Sequence, residues 1–367
     1  MNLKFENIKQ NNAHMNQDNS VQEIYHKKNI GLNNSPSQVV ENGKNCLHSF
    51  RDLSRLFEKR FNVSHFPKEP EKLYDAAQHL LTAGGKRIRP VMCLMGNEMF
   101  EEIKEDAYYV AVAIELFHNF TLIHDDIMDK APLRRGMETV HTKYGESTAL
   151  LAGDVMLVTG YESLQKVHID YLPRILSLFN KTAKEVCEGQ QLDMDFEKTP
   201  DVSFDDYVKM ITLKTSVALA ASLQLGAILG GAGKGNQEHL YEFGKNLGIA
   251  FQVQDDYLDA FGDPEKFGKK QGGDIMANKK TFLLLQAMKV LSAVQQKELD
   301  RILSIKDESK IQPVLDIYKS CNIDQWAKEL KHKYFSIAMD HLEETAVVSS
   351  RKKPLEELAL FLIERDM

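Results

Sequence analysis

Two stretches, Asp125-Asp126-Ile127-Met128-Asp129 and Asp255-Asp256-Tyr257-Leu258-Asp259, repeat one acidic pentad, each preceded by apolar sequence (Phe117 to Ile123, Leu247 to Val253). On a helix, residues four apart are turned by about 40° and lie about 6 Å from each other, so Asp125 with Asp129, and Asp255 with Asp259, project from one face. Acids at this spacing beside apolar sequence call for a cation, because an unpaired buried carboxylate costs several kcal/mol or gives up its charge. Oxygen donors without a His or Cys cluster favour magnesium over zinc, and magnesium keeps waters and takes further ligands from substrate phosphates. One pentad alone is as well explained by a solvated helix face. Two of them, each on an apolar run, are not.

A polyanion bridging such metals needs further cations for the oxygens the metals do not reach. Gly84-Gly85-Lys86-Arg87-Ile88-Arg89 is a basic turn whose glycines allow close backbone approach, and Arg134-Arg135-Gly136 follows the first pentad after a Pro-containing link. Lys214-Thr215 lies inside an apolar run, where an unpaired ammonium is costly, and Lys269, Lys270, Lys279 and Lys280 flank the loop after the second pentad. Each has a plainer explanation. Lys86 and Arg87 suit a helix end, Lys269 and Lys270 a solvated loop, Lys214 a snorkelling side chain, Gln252 a satisfied core amide and His118 an ordinary helix histidine. Together these require too many coincidences.

The elements that must position these groups are helices. From about residue 45 the apolar pattern has helical period with few alternating β-branched runs, which predicts an all-α fold. Leu73, Ala76, Ala77, Leu80 and Leu81 form one stripe, stopped by Gly84-Gly85, and Pro90 is placed to open a helix over Val91 to Met99. Ala107 to Lys130, Phe204 to Leu229 and Leu240 to Phe261 are apolar on most sides, as central helices are. Charged and polar residues such as Lys209 and Lys214 interrupt these runs, so no transmembrane segment is expected. Residues 198–201, 230–235 and 262–273 carry the Gly, Pro and Asp of turns and loops.

Residues 1–45 are Asn-rich with poor apolar periodicity and form an expected loosely ordered extension, leaving 46–367 as the catalytic domain. The net charge of -7 gives no encouragement to nucleic-acid binding. Cys46, Cys93, Cys187 and Cys321 show no CxxC or Cys/His pairing, which fits reduced thiols in a cytoplasmic protein.

The runs GGKRIRP (84–90), LIHDDIMDKAPLRRG (122–136), GQQLD (189–193), LKTS (213–216), FQVQDDYLD (251–259) and GDIMANKKT (273–281), in this order, resemble the trans-prenyltransferases, the head-to-tail isoprenyl diphosphate synthases that make farnesyl and geranylgeranyl diphosphates. The resemblance implies an isoprenoid synthase helical bundle around a central cavity, a homodimer, and Mg2+-dependent (three ions) 1'-4 condensation of isopentenyl diphosphate with an allylic diphosphate. Carried over by position, Asp125, Asp129 and Asp255 hold magnesium and, with Lys214, form the catalytic set; Asp126 and Asp259 orient ligands or waters. Arg134, Lys214, Thr215, Gln252, Lys269 and Lys279 match the allylic diphosphate contacts, and Lys86, Arg89, His118 and Arg135 the isopentenyl diphosphate site.

Two alternatives compete. A class I terpene cyclase also ionises an allylic diphosphate, but is expected to carry an Asn/Asp-Ser/Thr-Glu motif in place of the second pentad and has no use for a second diphosphate clamp. A non-catalytic subunit of a heteromeric synthase tends to lose acids that are complete here. Within the family, the residues five and four before the first pentad bear on product length. Phe120 with Thr121, one aromatic and one small residue, leans to C20 within a C15 to C20 range.

Overall fold

The long apolar runs become long helices. The computed structural model describes residues 47–61, 64–199, 201–263 and 271–364. The extension over 1–45 and Lys269 lie outside them. In order, the elements are α1 (Phe50–Phe61), α2 (Glu71–Thr82), α3 (Ile88–Glu98), α4 (Glu105–Met128), β1 (Leu133–Arg134), β2 (Met137–Glu138), α5 (Val140–Tyr144) and α6 (Glu146–Leu164). Then follow α7 (Leu172–Lys198), α8 (Phe204–Ile211), a π turn (Thr212–Ser216), α9 (Val217–Leu229), α10 (Lys234–Phe261), α11 (Gly273–Met276) and α12 (Phe282–Val290). The chain continues through α13 (Ala293–Leu303), a 3-10 turn (Glu308–Lys310), α14 (Ile311–Ser320), α15 (Ile323–Glu344) and α16 (Ser349–Ile363). The fold is all-α, and among the described residues its only sheet is the two-residue antiparallel pair β1–β2.

Helix α9 is the axis of the bundle. Its sequence, VALAASLQLGAIL, is buried at every position except Ala218 and Gln224, and α3, α4, α7 and α10 pack around it. Each fully buried Leu or Ile there contributes about 1.5–3 kcal/mol. Small residues let the helices close up. A Cβ on Gly226 would strike the Cys93 carbonyl and come 2.8 Å from Asn97 N, so α9 and α3 meet backbone to backbone. A second apolar core gathers Ala260, Leu283, Leu299, Val314 and Leu315 where α12, α13 and α14 cover the end of α10. The segment Phe204–Leu229, 26 residues long, contains an 18-residue window of mean hydropathy 1.4, long and apolar enough to cross a membrane, yet that window is 67% buried within the bundle.

Some boundaries differ from the sequence expectation. α3 starts at Ile88, so Pro90 is its third residue; the turn is made by Arg87 in the left-handed region (φ 52). Lys234 and Gly235 belong to α10 rather than to the preceding loop. The expected single helix over Phe204 to Leu229 carries the π turn, closed by the Val217 N–H donating to Thr212 O.

Candidate active site

The first pentad straddles the end of α4. The helix stops at Met128, Asp129 is its C-cap, and Lys130 is left-handed (φ 51). Ala131 N–H then donates to Asp126 O at 3.0 Å and Lys130 N–H to Ile127 O at 3.3 Å, the two closing bonds of a Schellman turn. Asp129 is thus exposed at the rim rather than one turn inside the helix. The second pentad likewise occupies the closing turns of α10, which ends at Phe261. Neither helix has a basic residue in its last turn. Carboxylates at the negative end of a helix dipole are unfavourable on their own. Both ends therefore favour a cation close by.

Within each pentad the second acid turns inward. Asp126, 2% exposed, is gripped by Arg134, whose Nε lies 2.8 Å from both carboxylate oxygens. Asp256, 4% exposed, accepts from Tyr207 Oη and Gln252 Nε2, each at 2.9 Å. Burial, then the Asp274 charge, pushes its carboxyl up to about 7. The last acid, Asp259, accepts the Asp274 N–H at 2.9 Å, and its carbonyl accepts the Gly272 N–H at 2.7 Å, which ties the start of α11 to the pentad. Asp125 and Asp255 remain half-buried. Burial raises the pKa of Asp125 and its neighbour Asp129 adds to this, while Lys214 pulls it down.

Lys214 owes its position to the π turn. The extra residue in that turn interrupts an otherwise regular helix, as π-bulges at functional sites do. Lys214 Nζ donates to Asp193 Oδ2 at 2.5 Å, and both Lys214 and Thr215 line an apolar cavity of about 310 Å³ beside Asp125. The π turn and α7 touch because residue 189 is glycine: a Cβ there would lie 2.6 Å from Lys214 Cα and 2.7 Å from Leu213 C. This gives the run GQQLD two roles, close approach at Gly189 and a counter-charge at Asp193. Across the site, burial lowers the pKa of Lys279, but Asp274, Asp193, Asp256 and Asp129 together hold it above its usual range. One lysine therefore feels acids of both pentads. Lys280 instead ties Phe196 O at 2.7 Å.

A second cavity, of about 440 Å³, is basic. Lys86, Arg89, His118 and Arg135 all line it. The Arg135-Gly136 pair forms the two-residue loop of the β1–β2 hairpin, with φ of 54 and 77, the double positive φ of a type I′ turn. That hairpin sends Arg134 to Asp126 and Arg135 to the Gly84 carbonyl. Arg89 lies 3.2 Å from His118 Nε2, and its Nε is buried without a partner. Burial, then the charges of Arg89 and Arg135, holds the His118 imidazole well below its ordinary value. Arg87 serves the scaffold instead, since it is buried, ion-paired with Glu115, and stacked over Phe61.

The profile of the family described as polyprenyl synthetase matches residues 70–321. The chain belongs to the polyprenyl synthetase family. It is 40% identical over 320 residues to a short chain isoprenyl diphosphate synthase of Methanocaldococcus jannaschii, covering 84% of this chain and 96% of that protein. It is 36% identical over 309 residues to a geranylgeranyl diphosphate synthase of Sulfolobus acidocaldarius, with 82% and 93% covered. Among solved structures, a geranylgeranyl pyrophosphate synthetase from Pyrococcus horikoshii superposes with a TM-score of 0.81 at 34% identity, covering 86% of this chain and 98% of that one. As a polyprenyl synthetase the protein is a prenyltransferase.

Among the described residues, no three His, Cys, Asp or Glu side chains converge into a closed metal cage. The donors of this polyprenyl synthetase still fit magnesium, which is held by one or two carboxylates plus waters and substrate phosphates. Phe120 and Thr121 line the apolar cavity, but as wall rather than floor. The cavity continues to Phe117 and Ile114, about 12 and 16 Å along α4 from Asp125, and to Phe179 and Leu225. Phe179 packs edge-on against Phe117 and Tyr161, with ring centres 5.5 Å apart in each case. Sequence reasoning missed Asp193, Tyr207, Phe117 and Phe179. Only Asp193 carried a signal, its place in GQQLD.

Proposed function

We propose that this polyprenyl synthetase condenses isopentenyl diphosphate head to tail with dimethylallyl, geranyl or farnesyl diphosphate, and that geranylgeranyl diphosphate is its main final product. The observation that carries this reading is a shared wall. Arg89, His118 and Thr215 line both the apolar cavity beside Asp125 and the basic cavity of Lys86 and Arg135. A tail site and a diphosphate site that meet at three residues suit the joining of two prenyl units. A cyclase has no use for the second.

In this reading Asp125, Asp129 and Asp255 hold three Mg2+ ions together with the allylic diphosphate. Bound magnesium supplies Lewis-acid stabilisation of the charge that develops on the leaving diphosphate. Lys214, oriented by Asp193, adds a positive charge beside Asp125, and Thr215, Lys279 and Lys269 contact the remaining oxygens. Arg134 and Gln252, each fixed by an inward acid, complete that set. Such preorganised charges need no rearrangement as the C–O bond breaks. The apolar wall of Phe117, Phe120 and Leu225 keeps water from the allylic cation. Lys86, Arg89, His118 and Arg135 hold the second diphosphate so that the isopentenyl double bond faces the cation. A neutral His118 suits this, since its Nε2 accepts from Arg89 without adding charge. Proton loss from the adduct needs only a weak base, a role the released diphosphate can fill.

Relatives named as geranylgeranyl diphosphate synthases support the C20 product. Exposed Leu150, Leu151, Val158 and Tyr161 give α6 an apolar outer face that supports a homodimer. The free thiols of Cys93, Cys187 and Cys321 accord with a cytoplasmic location. The test is incubation of the full chain with Mg2+, isopentenyl diphosphate and each allylic partner, followed by chromatography of the dephosphorylated alcohols. Diphosphate release with products ending at C20 is expected. Consumption of the allylic diphosphate alone, or of neither substrate, overturns the proposal.

A further inference from the structure

Helices α10 and α15 pack along a long seam, and at its outer end two histidines face each other. His239 Nδ1 and His341 Nδ1 are 3.3 Å apart, with ring centres at 5.5 Å and ring planes inclined by 47°. Neither lines the apolar or the basic cavity. His239 precedes Asp255 by sixteen residues on the same helix, about 24 Å along the axis. The pair is therefore remote from the diphosphate chemistry, and the proposed condensation gives it no role.

The separation is that of two ligands on one metal. Two nitrogens each about 2.05 Å from a tetrahedral Zn2+ stand about 3.3 Å apart. Both rings present the same atom, Nδ1, which leaves each Nε2 directed elsewhere and free to donate to water or to a neighbouring acceptor. Two further features suit a cation here. His341 sits in the last turn of α15, at the negative end of the helix dipole, which favours positive charge. The helices are also stitched beside the pair, because Ala346 N–H donates to Asn236 Oδ1 at 2.9 Å, so binding orders little that is not already ordered.

We propose that His239 and His341 form a bis-imidazole site for a borderline divalent metal ion of the zinc class, which clips α15 to α10. Imidazole nitrogen prefers Zn2+, Ni2+ and Cu2+ to the magnesium favoured by carboxylates. One chain thus carries two chemically separate kinds of metal site. Among the described residues no third His, Cys, Asp or Glu joins the pair, so water fills the other positions. Because the ion binds the folded seam and not the separated helices, it raises stability.

The full-length protein, with Mg2+ in excess to fill the carboxylates, is titrated with ZnCl2 by calorimetry and melted with and without Zn2+. His239→Asn and His341→Asn are compared with wild type. One Zn2+ site present in wild type and weakened about tenfold or more in each variant is expected, since each loses half the protein ligands. The unfolding midpoint should rise by a few degrees with Zn2+ in wild type only. Equal zinc stoichiometry and equal shifts in all three proteins overturn the site and leave the pair as a hydrogen-bonded couple. Should the variants fold poorly, Cu2+ bound to wild type is read by electron paramagnetic resonance. Coupling to two nitrogens supports the site, and oxygen-only coordination refutes it.

Discussion

Gly189→Ala should disable the enzyme without removing any charged or polar group. The new Cβ would strike the Lys214 backbone N and sit 2.6 Å from Lys214 Cα, where ordinary contact begins at 3.4 Å, a deficit of at least about 0.8 Å against backbone that cannot rotate away. Helix α7 and the π turn must part by roughly that distance, at a cost of about 1–3 kcal/mol in stability. Lys214 Nζ then leaves its 2.5 Å contact with Asp193 Oδ2. A misplacement of about 1 Å at a charge-stabilising group is worth about 100-fold in rate. The expected result is a kcat near 1% of wild type, with KM for isopentenyl diphosphate changed far less, because of the residues lining the basic cavity only Thr215 belongs to the displaced π turn while Lys86, Arg89, His118 and Arg135 stay in place. Gly160→Ala is the matched control, since its Cβ would find Ala113 O at an ordinary 3.5 Å. That variant should keep full activity and gain about 0.5–1 kcal/mol from helix propensity. Steady-state kinetics with each substrate varied, and urea unfolding of both variants, make the comparison. A Gly189→Ala enzyme with wild-type kcat, or a Gly160→Ala enzyme equally impaired, would refute the reasoning.

Asp125→Ala and Asp255→Ala should each lower kcat by about 1,000-fold or more, the loss of roughly 4 kcal/mol of leaving-group stabilisation; near-normal turnover of a folded variant would exclude its metal role. His118 carries an acid sensitivity. Its folded pKa is depressed well below 6.5, so as pH falls from 6.5 the unfolded chain takes up a proton that the native protein refuses, and stability declines. His118→Gln should flatten that decline in urea midpoints measured below pH 6.5, and an unchanged slope would mean the histidine titrates normally. Thr121→Phe should fill the cavity wall and shift the main product to C15, whereas Phe179→Ala should open the floor toward Tyr161 and lengthen it. Identical product lengths in both folded variants would remove these residues from the tail path.

Much of this protein could be read from residue order because its signals are local. Helical period and two acidic pentads on apolar runs are properties of contiguous sequence, so the all-α fold and the prenyltransferase class were legible, and the basic runs singled out around Lys86, Arg134 and Lys214 do lie at the two cavities or against a pentad acid. Even the Arg135-Gly136 turn had a local signature in its glycine, though residue order alone suggests no more than a link. What each acid does was not legible. Asp125 and Asp126 are neighbours in sequence, yet a step of about 100° around the helix puts one at a cavity mouth and the other against Arg134. The same step separates Asp255 from Asp256, which Tyr207 and Gln252 hold inside. The π turn has no sequence signature, because one extra residue in a turn is stabilised by the packing of α7 against it through Gly189. The cavity floor joins Phe117 to Phe179 from different helices, and the zinc-spaced pair joins His239 to His341 across a hundred residues. Such pairs exist only once helices pack, since a contact between distant segments depends on crossing angle and register, which local propensity does not encode.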